Sequence, residues 1–158
     1  MIVSSLKDIK SELKNATKGE VEEICLRLIK HKKENKELIN YLLYYQNSHD
    51  TYIEETLEEM HQDLISLNTD SYFYMKKTIR KALNKLKKNI RFSQSKEVEI
   101  HLLMAFCKEL KQIKPSIFKS TVLRNLYDRQ INAVEKALTV LPEDLQYDYR
   151  QEIESLIH

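Results

Sequence analysis

VEIHLLMAFCKELKQI, residues 98–113, is the stretch whose pattern decides the fold. Val98, Leu102, Leu103, Phe106, Cys107, Leu110 and Ile113 recur at steps of three and four, the spacing that lines one face of an α-helix. The apolar stripe is wide, so this helix is expected to be the most buried of the chain. Ser93 or Ser95 supplies its cap and Pro115 its stop.

The same period recurs on both sides. Leu6, Ile9 and Leu13 mark a first helix over roughly 5–14. Thr17-Lys18-Gly19-Glu20 is a capping box that opens a second, with Val21, Ile24, Cys25, Leu28 and Ile29 inward. A polar link over 31–35 leads to a third helix carrying Leu38, Ile39, Leu42, Leu43 and Tyr45. A fourth, over about 51–66, presents Ile53, Leu57, Met60, Leu64 and Ile65. The fifth covers 72–90. A long seventh helix starting at Pro115 carries Val122, Leu123, Leu126, Ile131, Val134 and Leu138, and Pro142 resets the chain for an eighth that ends near His158.

Composition agrees with the period. One Gly and two Pro among 158 residues leave few of the sharp turns that sheets need. The expectation is all-α: about eight antiparallel helices in one domain, 1–158, arranged as stacked helical hairpins of the α–α superhelix kind or as a compact multi-helix bundle. No internal repeat and no tetratricopeptide signature is found. The stretch Lys33-Glu34-Asn35-Lys36-Glu37-Leu38-Ile39-Asn40-Tyr41-Leu42-Leu43 resembles an uncharacterised family of small all-helical bacterial proteins. The resemblance covers one helix and implies no activity, cofactor or site residue.

Met1-Ile2-Val3-Ser4-Ser5 runs straight into a charged helix, without the apolar stretch of a secretory leader. No run approaches the ~20 apolar residues of a membrane span. Cys25 and Cys107 both fall in apolar stripes and read as buried, reduced thiols. These features point to a cytoplasmic protein with no membrane association.

Chemistry has few footholds. One Gly excludes a Gly-rich phosphate loop, and neither CxxC nor HExxH occurs. Glu58 and His61 have the i, i+3 spacing of a carboxylate-bridged di-iron ligand pair, but the nearest second copy, Glu97 with His101, is at i, i+4. No enzyme activity, metal or cofactor is expected.

Two surfaces remain. Lys76, Lys77, Arg80, Lys81, Lys85, Lys87, Lys88 and Arg91 follow one another with no acid among them and fill about half the helical wheel. Met75, Ile79, Ala82, Leu83, Leu86 and Ile90 fill the opposite arc. The functional reading is a polyanion-binding face, for nucleic acid or for an acidic-protein or lipid surface. The simpler one is a solvated face beside the acids of the preceding helix: Asp50, Glu54, Glu55, Glu58, Glu59 and Asp63. The second surface is a cluster of Tyr41, Tyr44 and Tyr45, a residue type favoured in protein contacts. On this basis the expected role is a non-enzymatic helical module that binds a protein partner; the alternative is a nucleic-acid-associated protein using the basic face of the helix over 76–91.

Overall fold

A computed structural model describes residues 1–157. Helices make up 80% of the chain, and no strand occurs among the described residues.

Specific side chains start the helices. Ser5 caps α1 (Leu6–Asn15), its Oγ accepting from the Asp8 N–H. At α2 (Lys18–His31) the capping box is complete: Thr17 Oγ1 accepts from the Glu20 N–H, and the Glu20 carboxylate accepts from the Thr17 N–H at 2.7 Å. Those bonds hold the Glu20 carboxyl below its ordinary range. The expected link over 31–35 shrinks to Lys32, and α3 (Lys33–Tyr44) follows at once. Asn35 Nδ2 donates to the Leu28 carbonyl at 2.8 Å, so a side chain of α3 satisfies the open end of α2.

Ser71, Ser95 and Ser120 cap α5 (Tyr72–Ser93), α6 (Lys96–Gln112) and α7 (Thr121–Leu138). The helices α4 (His49–Ile65) and α8 (Glu143–Glu154) begin without a side-chain cap bond. The expected end of the last helix near His158 lies outside the described residues. The seventh helix does not begin at Pro115. A 3-10 helix, Ile117–Lys119, precedes it, because Ser116 and Ser120 each accept a backbone N–H and set two starts in close succession. With Gly so scarce, the left-handed residue that ends α5 is Gln94, at φ 50°.

The chain divides into two compact units, residues 1–44 and 45–158. In the second, α6 packs against α4, α5 and α7, and α7 against the 3-10 helix and α8. Val98, Leu102, Leu103, Phe106, Cys107 and Leu110 of the predicted stripe are all buried, and Ile100 and Met104 join them from outside it. Only Ile113, at the end, is half-buried. The arc predicted for α5 is buried at Met75, Ile79, Ala82, Leu83 and Leu86.

The faces of α3, α4 and α7 differ from the reading of the sequence: Leu42 and Leu43 are exposed, and α4 buries Tyr52 and Thr56 while Ile53 and Leu57 are half-buried. Ile65 and Val122 are exposed. Each sits in a terminal turn, beside its stripe. In α7 the buried set is Leu123, Leu126, Tyr127, Gln130, Ile131, Val134, Ala137 and Leu138, an unbroken three-four series that takes in two polar residues and skips Val122. Tyr127 is accommodated because its hydroxyl donates to the Leu156 carbonyl at 2.7 Å. Gln130 is less well served: Nε2 donates to the Leu126 carbonyl, while Oε1 is buried without a hydrogen-bond partner.

The first unit is different in kind. There α2 packs on α3, but neither α1 nor α2 contains a single buried residue. Cys25, expected in a core, is half-buried, and neither thiol is in a disulfide.

Two substitutions test the core of the second unit. Leu102→Ala is expected to cost about 2–5 kcal/mol through lost burial and the cavity left behind. Gln130→Met, near-isosteric and without the orphaned oxygen, should be neutral or stabilising by up to about 1 kcal/mol. Urea denaturation of both variants checks this; a large loss for Gln130→Met means that Oε1 serves a polar purpose.

Candidate functional site

The basic face of α5 exists, but its cations are not equivalent. Lys85 Nζ lies 2.7 Å from Glu59 and 3.0 Å from Asp63, both on α4. Partial burial pushes its pKa down, but the hydrogen bonds and charges of the two carboxylates outweigh this and leave it raised. Lys85 is therefore a tie between helices rather than part of an open face, and there the solvated-edge reading holds. It does not extend to the beginning of the helix. Among the described residues Lys76, Lys77, Arg80, Lys81 and Lys87 have no ion-pair partner.

Four of these share a depression with an exposed aromatic that precedes them on the helix. Phe73 is 65% exposed and meets Tyr74 edge-on, with ring centroids 5.5 Å apart. Lys76 Nζ sits 5.6 Å from the Phe73 ring centroid. Phe73, Lys76, Lys77, Arg80, Lys81 and Asn84 line one shallow depression of about 450 Å³. They follow one another in steps of three and one, so each lies three or four residues from another and all share one stripe of the helix. The tyrosine at the start of the helix faces elsewhere: the Tyr72 hydroxyl donates to the Ser116 carbonyl at 2.9 Å.

The tyrosine cluster does not form one exposed surface. Tyr41 is 4% exposed and burial raises its pKa, whereas Tyr44 is 70% exposed. Tyr45 donates to Glu55 at 2.5 Å and tilts against Tyr52 at 5.5 Å. Of the three, Tyr44 alone is open.

The residues weighed for chemistry are engaged structurally. His61 Nδ1 lies 3.0 Å from Glu109 Oε1, joining α4 to α6, while Glu58 accepts from Gln62. His101 Nε2 lies 2.6 Å from the Tyr149 hydroxyl, whose pKa is raised by burial and then by Glu97, Glu152 and Asp148. Glu99, which falls in the apolar arc of α6, is paired with Lys96 at 2.6 Å. No group of three or more His, Cys, Asp and Glu residues that could hold a metal occurs among the described residues. Burial, helped by Asp128, pushes the Cys107 thiol up to about 12, so its thiolate is scarce at neutral pH.

The sequence reading missed a surface in the first unit. A groove of about 870 Å³ runs between α1 and α2. Ile9, Leu13, Ile24 and Leu28 give it apolar walls, and all four are exposed. Asp8, Glu12, Glu20 and Glu23 rim it against one cation, Arg27. Just outside it, Leu6 is 81% exposed. Periodicity had marked these apolar residues as helix faces, but an apolar face reads the same whether or not another helix covers it.

No protein-family model, curated protein or solved structure matches this chain. Nor is any described helix long and apolar enough to cross a membrane. A function must therefore be sought in these surfaces.

The difference between the two parts of the α5 face is measurable. Lys85→Ala is expected to cost about 1 kcal/mol, since it removes two ion pairs at once, and the loss should shrink in high salt. Lys81→Ala should stay within about 0.5 kcal/mol. Equal effects in urea denaturation would mean that the bridge to α4 contributes nothing.

Proposed function

We propose that this chain is a non-catalytic helical module that binds a protein partner, and that the groove between α1 and α2 is where the partner docks. The observation that carries this reading is the absence of any buried residue in either helix, although both have apolar stripes. Apolar side chains concentrated in a groove and left in water cost free energy that a partner's burial recovers.

The occupant is a basic amphipathic helix from another protein. Four carboxylates against one guanidinium give the groove a net charge of about −3 at neutral pH. Self-pairing groove to groove would bring acidic rims together, which opposes a second copy of the chain as occupant. An apolar-faced helix with Lys or Arg along its edges satisfies walls and rim together. A cytoplasmic setting suits the unpaired state of Cys25 and Cys107.

The test uses two 16-residue helical peptides, one of Leu and Lys and the other of Leu and Glu, in fluorescence anisotropy. The Leu/Lys peptide is expected to bind and the Leu/Glu peptide not to. Ile24→Asp in the protein separates docking from mere charge attraction: it makes the groove more acidic but removes an apolar wall. Docking is lost in that variant, whereas non-specific attraction would strengthen. Failure to distinguish the two peptides, or a stable dimer by light scattering that Leu13→Asp converts to monomer, would overturn the proposal.

A further inference from the structure

We propose that the beginning of α5 is a binding site for single-stranded nucleic acid, with phosphates held by Lys76, Lys77, Arg80 and Lys81 and a base stacked on Phe73. This inference is independent of the groove in the first unit.

Three observations support it. First, the basic face is divided. Lys85 is held by Glu59 and Asp63, whereas the four cations nearest Phe73 have no ion-pair partner among the described residues. A face whose only purpose was solubility or pairing with α4 would need no such break. Second, Phe73 stands at the N-terminal end of that row of cations, with Lys76 Nζ 5.6 Å from its ring centroid, and is 65% exposed. Burial explains an aromatic in a core, and a hydroxyl with a hydrogen bond explains Tyr72, but neither explains Phe73. A ring open to solvent among phosphate-binding cations is the combination by which sequence-tolerant single-strand sites work: charge follows the backbone while the ring takes a base face. Third, the residues share one depression of about 450 Å³, a size that accommodates a nucleotide. From Phe73 to Asn84 the stripe runs about 16 Å along the helix, at 1.5 Å per residue, enough for two or three nucleotides. Asn84 adds an amide that can both donate to and accept from a base edge.

The geometry also distinguishes among polyanions. In a duplex the bases are stacked on one another, leaving Phe73 without a partner; a single strand presents free base faces. A bilayer surface would need an apolar helix face turned towards the acyl chains, but the apolar arc of α5 is buried. Phe73 and Tyr74 alone offer little to insert.

The test is anisotropy of labelled 12-mers with the full chain: oligo-dT, oligo-rU and a 12-base-pair duplex, at 50 and 200 mM KCl. Binding to the single strands is expected to exceed binding to the duplex. With about four phosphates neutralised, the fourfold rise in salt should weaken it roughly 50-fold. Phe73→Ala should weaken single-strand binding about tenfold at either salt concentration and leave the salt slope unchanged, because stacking carries no charge. The double change Lys77→Glu with Arg80→Glu should abolish it. All three side chains are exposed, so thermal melts of these variants should match the parent. The oligo-dT and oligo-rU arms compare a deoxyribose with a ribose strand, and either preference supports the site. Absence of single-strand binding at 50 mM KCl, duplex binding that is equally strong and indifferent to Phe73→Ala, or stronger binding to phosphatidylserine vesicles than to either oligonucleotide would overturn it.

Discussion

Burial of α6 is the constraint from which the 45–158 unit follows. Val98, Ile100, Leu102, Phe106, Cys107 and Leu110 are all inaccessible to solvent, and they point in more directions than one neighbour can cover. Hence α4, α5 and α7 all pack against this helix. That arrangement has a functional consequence. The Met75–Leu86 arc of α5 is buried, so the opposite arc, with its cations, must face outward. The first part of the basic face, Lys76 to Lys81, is turned outward for that reason; what the core does not require is an exposed Phe73 at its N-terminal end.

Polar groups refine the packing. His61 with Glu109 and Lys85 with Glu59 and Asp63 tie α4 to its neighbours. Lys108 pairs with Glu152, and Lys111 donates to the Ser155 carbonyl at 3.0 Å, holding the last helix to the edge of α6. Each exposed pair contributes modestly. Together they fix which helix edges face one another, which apolar contact alone leaves loosely specified.

Much of this was legible in the sequence because its signals are local. Helix number, the Thr17–Glu20 box, the Ser95 cap and the two arcs of α5 follow from spacing within a single helix. What could not be read was tertiary. The fork of Glu59 and Asp63 on Lys85 requires knowing that α4 and α5 meet at that height, though both charged runs were visible. Tyr41 and Tyr44 are three residues apart in one helix, yet one is buried and the other open. In α7 a stripe through Tyr127 and Gln130 was hidden because both are polar. The groove between α1 and α2 was overlooked for a related reason: the period identifies an apolar face, whereas its coverage depends on whether the chain supplies a neighbour. In α2 the neighbour α3 leaves Val21, Cys25 and Ile29 half-buried and Ile24 and Leu28 exposed, and in α1 Leu6, Ile9 and Leu13 are all exposed.

The central contrast is thus between a closed core in residues 45–158 and uncovered apolar faces in residues 1–44. Stability differs accordingly within the chain: helices with no buried residue open at little cost, while helices that form the core open only with the whole unit. Native-state hydrogen exchange followed by mass spectrometry measures this directly. The expected result is that amides of α6 and α7 exchange only at the rate of global unfolding, with those of α1 and α2 exchanging many times faster in the protein alone. Amides of α1 and α2 as slow as those of α6 would contradict it, since the apolar faces of these two helices would then already be covered.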